Sequence, residues 1–467
     1  MSQMPSVESP NDDPEMAHSS CPSCPSCPSC PSVALVGRHV SSLTIPPPVV
    51  LRKRGVEYEL SIHGDHTTEE ATTDTTSSPS SPSHSRTVRV LGGACSELFS
   101  GPRLARILQP CIDLQQQAID ALRRNEPAPT LSVHTSVGQT PALNGFIEEL
   151  TYHLPRVWGS NDDWVLSLQL EGTSAVHAGV DLLMQLQHLR GRTHLNTQTR
   201  VHVAVADASY HGPPTTGYGH SPTLPTRKWP FTPVQYLYPA PTAFSRWRWE
   251  ASLTETDPPP TTARWLAFVR TQFQDFLETH HQDIAVLIVE PQWGSSVAGM
   301  PWDVTLLRDV IDMAHAKGIL VLADEIMCGL ARHGQGGRTF LSDAWNLPVD
   351  GITFGKAIAS GVYPLSGVVL REGRQALNQS GRTVMQSHTY AHGAHTLPLL
   401  AATQTLHLLR TDPTIHTLIQ QGATVCREEL SQMIESLPSS EAVCHGQGLM
   451  WGVLWAHPER DLLGAIA

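Results

Sequence analysis

From about residue 145 the chain alternates two hydrophobic rhythms: short apolar runs, and stretches where apolar residues recur every three or four positions. WVLSLQL (164–170), VHVAVAD (201–207), IAVLIVEP (284–291) and GILVLADE (318–325) belong to the first kind. They are too short for helices and too uniformly apolar for half-exposed strands, so they read as strands covered on both faces. Between them lie helical patterns. One opens at Glu171-Gly172-Thr173-Ser174 and places Val176, Val180 and Leu183 at helical spacing; another runs from Asp303 to Lys317 with Leu306, Leu307, Val310, Ile311 and Ala314 on one face. Asp303 has the side chain of an N-cap, and Gly318 the freedom to close that helix. Strand, helix and strand in this order predict an α/β fold with a mostly parallel central sheet covered by helices.

The front of the chain lacks these rhythms. Residues 1–47 are rich in Ser, Pro and acidic side chains and read as a disordered tail. VVLRKRGVEYELSI then alternates like a strand, and RTVRVLGGACSELF resumes the same pattern. Between them, about residues 65–85 have almost no apolar content and cannot offset their own ordering entropy. Such an insertion is expected at a hairpin tip, where extra length costs little. The resulting division is a tail (1–47), an N-terminal part of a small domain (48–125), a large domain (126–385), and an interdomain helix with the rest of the small domain (386–467).

Composition adjusts this picture modestly. The chain has 467 residues, 37 Pro and 34 Gly, and a formal net charge of −12, which argues against a binder of nucleic-acid backbones but not against a small phosphorylated ligand. Four of the nine cysteines, Cys21, Cys24, Cys27 and Cys30, sit in a Cys-Pro-Ser repeat. Their Cys-x-x-Cys spacing could serve zinc, but the repeat has no flanking hairpin or helix pattern and reads as low complexity, so no metal site is expected. No apolar run reaches the ~18 residues of a membrane span. The acidic, proline-broken N-terminus lacks a signal peptide's apolar core, so a cytoplasmic location is expected, with a mitochondrial one left open.

Chemistry is expected where the strands end, because ligands of doubly wound sheets bind beyond the carboxyl ends of the strands. Gly172-Thr173 closes one strand and opens a helix, a place where free N–H groups favour phosphate. Asp324-Glu325 ends another, and Lys356 follows an apolar run in GITFGKAIASG. Singly, these are a helix cap, a loop charge or metal site, and a surface lysine. Together they form one site if the ligand is a phosphorylated pyridine aldehyde, with the lysine as Schiff-base partner and the carboxylate holding the ring nitrogen protonated.

At these residues the sequence resembles the class III aminotransferases, pyridoxal-phosphate enzymes of fold type I. The run LIVEPQWGSSVAGMPWDVTLLRDVIDMAHAKGILVLADEIMCGLARHG followed by FGKAIASGVYPLSGVVL carries most of the resemblance, and EGTSAVHAG, SYHGPPT and SHTYAHGAHTLPLLAA extend it over about residues 50–455. The resemblance implies a transaminase that transfers an amino group from an amine or amino acid to a 2-oxo acid by ping-pong chemistry. Lys356 would be both Schiff-base lysine and proton-moving base, and Asp324 the partner of the pyridinium nitrogen. Tyr210 would stack on the ring, with His211 and Gly212 shaping the loop. Gly172 and Thr173 would bind phosphate, Met327 would lie near the phenolic oxygen, and Glu290 would lie behind the aspartate. Thr389 would reach the phosphate of a neighbouring subunit, which implies a homodimer with shared active sites.

Several positions depart from the family pattern. Ser174 stands where glutamate is usual, Met327 where many members carry glutamine, and Ser295 where a gating glutamate is common in users of 2-oxoglutarate. The chain also stops at ERDLLGAIA, roughly fifty residues short of the usual small domain. The same cofactor geometry also serves aminomutases, decarboxylases and lyases, and a shortened small domain leaves room for a pseudoenzyme or regulatory subunit acting through its dimer surface.

Overall fold

The computed structural model describes residues 49–54, 57–63, 85–91, 97–133, 139–159, 164–191, 200–213, 218, 235–372, 394–435 and 442–455. The tail, the Cys-Pro-Ser repeat, almost all of the 65–85 insertion, Thr389 and the final ERDLLGAIA lie outside them. The chain divides into two units, Met1–Leu91 and Gly92–Ala467.

The first unit is an antiparallel three-stranded sheet of β1 (Val49–Arg54), β2 (Glu57–His63) and β3 (Ser85–Leu91), in that order. VVLRKRGVEYELSI, read above as one extended stretch, is therefore two strands. Its closing pair Arg54↔Glu57 leaves two residues for the turn, the commonest hairpin length. The insertion joins β2 and β3, whose last pair is His63↔Ser85, so it does leave from a hairpin end.

The second unit starts with α1 (Gly101–Arg123), β4 (Ser132–Val133) and α2 (Pro141–Thr151), and then builds the main sheet. Its elements follow as β5 (Val165–Gln169), α3 (Gly172–Gly191), β6 (His202–Ala206), β7 (Gln235–Tyr238), α4 (Ala243–Ala251), α5 (Thr262–His280), β8 (Ile284–Val289), α6 (Val304–Ala316) and β9 (Leu320–Asp324). After α7 (Leu341–Ala344) come β10 (Gly351–Phe354), a 3-10 turn at Lys356–Ala359, and β11 (Ser366–Leu370). The unit ends with β12 (Ala394–His395), α8 (Thr396–Thr411), α9 (Pro413–Glu435) and the hairpin β13 (Ala442–Gln447)–β14 (Met450–Trp455).

The main sheet has seven strands in the order β5-β11-β10-β9-β8-β6-β7. All its pairings are parallel except those of β11, which runs against both neighbours. Strand side chains divide between two apolar layers. Val205, Val286, Ile288, Leu320, Leu322, Val368 and Leu370 meet α3 through its buried Val176, Val180 and Leu183, while Leu287, Val289, Val321, Ala323, Ile352 and Phe354 join the layer that holds α6 and α8. Burial on both faces explains why these strands read as largely apolar runs. At Gly179 the backbone of α3 comes so near the sheet that a Cβ would lie 2.9 Å from Leu322 Cδ2 and 3.1 Å from Val368 Cγ2.

Helix α6 shows how local chemistry sets the strand ends. Asp303 accepts a hydrogen bond from Leu306 N–H at 2.9 Å, and Gly318, at φ +69°, closes the helix with Ile319 N–H bonded to Ala314 carbonyl at 3.0 Å. Leu306, Leu307, Val310, Ile311 and Ala314 are all buried, as their spacing predicts. The two caps fix the length of the crossover and hence the depth at which β9 enters the sheet. Replacing Asp303 with alanine is expected to lower stability by about 1 kcal/mol, and with serine by much less. Denaturant titration of both variants checks this.

Candidate active site

Five strands deliver side chains to the carboxyl edge of the sheet. β5 runs into Glu171 and the start of α3; β6 leads to Tyr210, His211 and Gly212; β8 leads to Glu290 and Gly294; β9 ends on Asp324; and β10 is followed by Lys356. Glu171, Gly172, Thr173, Tyr210, His211, Glu290, Asp324, Met327 and Lys356 all line one cavity of about 180 Å3, together with Val176, Gly212, Gly294 and Ile326. The structure thus brings together every site residue expected from the sequence except Thr389, which lies outside the described residues.

Asp324 is the centre of the polar network. Its Oδ2 lies 2.7 Å from Nδ1 of His211, and its Oδ1 accepts from Ile326 N–H and from the Thr353 hydroxyl, both at 3.1 Å. Both members of the pair are buried. Burial alone would push the Asp324 carboxyl up, but the hydrogen bond and charge of His211, helped by Ile326 N–H and Lys356, hold it below its ordinary value. Burial would likewise strip His211 of its proton, and Asp324, with a smaller share from Glu290, holds its pKa above the usual imidazole value. The two therefore stand as an ion pair. Nε2 of His211 is buried with no hydrogen-bond partner among the described residues.

Glu290 ties two loops to this pair. It accepts from Tyr210 N–H at 3.2 Å and from Gly294 N–H at 3.1 Å. Burial pushes its carboxyl up to about 7, with His211 opposing and Asp324 adding to the rise. Glu325, the second half of the strand-end Asp-Glu pair, faces away from the cavity. Its carboxylate accepts from Leu341 N–H at 2.6 Å and Ser342 N–H at 2.8 Å, which anchors the start of α7. One residue of the pair is thus chemical in placement and the other structural.

Backbone shape opens the cavity. A Cβ at Gly212 (φ +108°) would meet Thr173 Cγ2 at 2.4 Å, and one at Gly294 would meet the Met327 sulfur at 2.2 Å. Lys356 sits at φ +44°, an uncommon conformation for a residue with a side chain and one that collects at functional sites. Tyr210 is partly exposed at the mouth, and burial, with the charge of Glu171, raises its hydroxyl pKa.

Sequence reasoning missed Ile326 and Glu171 as site residues. Ile326 forms a wall of the cavity, two positions after the aspartate. Glu171 caps α3: its Oε1 accepts from Ser174 N–H at 3.1 Å and from the Ser174 hydroxyl at 2.9 Å. The glutamate that the resemblance places at position 174 is thus found three positions earlier and works in the reverse direction. The order Glu-Gly-Thr-Ser, a capping box written backwards, was the signal for it.

The donor set suits pyridoxal phosphate. A buried ionised carboxylate can hold a proton on a ring nitrogen, Lys356 provides an amine, and the first N–H groups of α3, at Gly172 and Thr173, have no partner within the helix. Fold and site together define a doubly wound α/β protein built to hold a phosphorylated aromatic ligand on the carboxyl edge of its sheet. The family follows from comparison: the model for Aminotransferase class-III matches residues 121–463, and the chain belongs to that family.

Its relatives are distant. A putrescine–pyruvate aminotransferase of Pseudomonas aeruginosa is 26% identical over 160 residues, 34% of each chain. A mitochondrial acetylornithine aminotransferase of Saccharomyces cerevisiae is 24% identical over 194 residues, 41% of this chain and 44% of the relative. The match thus spans about a third of the first relative's length and less than half of the second's. Among solved structures, an (S)-enantioselective omega-transaminase from Thermomicrobium roseum superposes with a TM-score of 0.66 at 18% identity, covering 92% of this chain and 84% of the other, which shows a shared fold.

The pKa of Glu290 has a measurable consequence. A carboxyl that titrates near 7 when folded and near 4.5 when unfolded keeps its proton in the native state, so its contribution to stability declines as pH rises between those values. A Glu290→Gln variant has no such titration. Its stability deficit relative to the parent is expected to shrink between pH 5 and pH 8 by up to a few kcal/mol, as read by denaturation at both pH values.

Proposed function

We propose that this chain is a pyridoxal-phosphate-dependent transaminase that moves an amino group from an amine or amino acid to a 2-oxo acid in two half-reactions at one site. The observation that carries the reading is the meeting of Lys356 with the buried Asp324–His211 pair in one cavity. When bound, pyridoxal phosphate supplies an aldehyde that condenses with amines and a ring that takes up the electron pair released as a substrate Cα–H bond breaks.

The remaining work falls to the protein. Lys356 Nζ would hold the aldehyde and, when free, would be the base that moves a proton at the substrate carbon. Asp324 would hold a proton on the ring nitrogen, and the charge of His211 keeps Asp324 ionised for that task. Gly172 and Thr173 bind the phosphate, Tyr210 and Ile326 wall the slot, and Met327 packs beside Gly294 without offering a hydrogen bond. Glu290 fixes the loops that present Tyr210 and Gly294. This reading retains a homodimer, with Thr389 reaching the neighbouring phosphate, and a cytoplasmic location. No helix among the described residues is long and apolar enough to cross a membrane. The named relatives, a putrescine–pyruvate and an acetylornithine aminotransferase, support an amine or amino acid as donor.

Purified protein mixed with pyridoxal phosphate should gain a near-visible absorption band that borohydride fixes to the chain. Lys356→Ala should lose both that band and at least about 10^3-fold of amino-transfer rate, and Asp324→Asn about 10^2-fold of the rate. If the band forms but no amine donor shifts it under single-turnover conditions, the transaminase reading fails.

A further inference from the structure

Glu171 is the one charged group of the site for which the proposed chemistry has no use, and it stands where a phosphate is expected. Its carboxylate is bonded to Ser174 N–H and hydroxyl, and its carbonyl takes the first helical bond, from Ala175 N–H at 3.1 Å. A helix N-terminus attracts an anion through its free N–H groups and its dipole. Here the chain's own carboxylate is that anion. The same side chain lines the cavity beside Gly172 and Thr173, and its charge adds to burial in raising the Tyr210 hydroxyl, so its field reaches the cavity wall. It also lines an adjoining space of about 340 Å3, with Gly172, Lys356 and Tyr363. Among the described residues no arginine lines either space; Lys356 is their only lysine, and the other cation of the cavity, His211, is already paired with Asp324 at 2.7 Å.

We propose that Glu171 competes with the cofactor phosphate for the N-terminus of α3, so that this site gains less from the phosphate group than its backbone donors alone would provide. The inference rests on the pyridoxal-phosphate reading above. A phosphate ester reaching Gly172 and Thr173 meets a like charge and must share the helix end or displace the cap. The site therefore discriminates only weakly between pyridoxal phosphate and unphosphorylated pyridoxal, and the phosphorylated form exchanges readily.

The test is a pair of equilibrium titrations of the apo-protein, with pyridoxal phosphate and with pyridoxal, followed by intrinsic fluorescence and by the borohydride-fixable band. Two variants serve: Glu171→Gln, which keeps an oxygen for the Ser174 cap and removes the charge, and Glu171→Ser, which substitutes a short neutral cap. Both should lower the Kd of pyridoxal phosphate about tenfold and leave that of pyridoxal within about twofold, so the ratio of the two constants widens about tenfold. The proposal is overturned if pyridoxal phosphate binds no tighter to either variant, or if pyridoxal gains equally, since the effect would then concern the cavity and not the phosphate. If neither compound binds the parent or the variants, the cofactor reading itself has failed and this inference falls with it. Unchanged constants with normal binding would overturn this inference alone.

Discussion

Two opposite charges buried together at the end of β9 organise the site. Placing Asp324 and His211 away from water is costly for each alone, and their contact at 2.7 Å offsets that cost only if the remaining polar atoms are also satisfied. Asp324 meets that condition through Ile326 N–H and the Thr353 hydroxyl, which fastens the turn after β9 and strand β10 to one carboxylate. His211 brings the loop after β6 to the same point. Removing either partner would leave an uncompensated buried charge, so these elements hold one arrangement or none. The unpartnered Nε2 of His211 is the part of the network that the described residues leave unsatisfied.

Around this pair the neighbouring carboxyls take different charge states by environment. Asp324 faces a cation and stays ionised, whereas burial brings both Glu290 and Glu325 up to about 7. Three acidic side chains thus sit close together without three full negative charges, because burial disfavours the ionised form of two of them although each accepts from backbone N–H groups. This division leaves Asp324 as the carboxylate held most firmly in its ionised form. It also explains how Asp324 and Glu325, adjacent in sequence, serve different purposes: successive residues leaving a strand point to opposite sides.

Much of the fold was legible because its signal is physical repetition. IAVLIV and the LVLA that precedes Asp324 are apolar because they are buried on both faces, and α6 declared itself through Asp303, Gly318 and a five-residue apolar face. The antiparallel β11 left no mark in its apolar pattern, since strand direction comes from topology and not from side-chain order. The turn between β1 and β2 was hidden because the alternating pattern continues across it. In the site, residue types with unusual chemistry stood out at strand ends: Lys356, Asp324 and the Gly172-Thr173 pair. Ile326 did not, because an isoleucine that walls a cavity has the same sequence appearance as one that fills a core.

The cap of α3 shows why local and functional readings of one motif can differ. A helix start needs an acceptor for its third N–H, and a glutamate before Gly172 reaching forward meets that need as well as a short hydroxyl side chain would. Helix stability is therefore nearly indifferent to whether the tetrapeptide carries its glutamate first or last. The cavity is not indifferent, because moving the glutamate from the fourth position to the first transfers a negative charge from the body of the helix to its open end. There the free N–H groups of Gly172 and Thr173 are the main electrostatic resource for an anion. A sequence comparison that scores the motif by its glycine and hydroxyl finds it intact, yet a carboxylate now occupies the helix end. The consequence depends on where the carboxylate stands, and only the bonds from Ser174 to Glu171 reveal that.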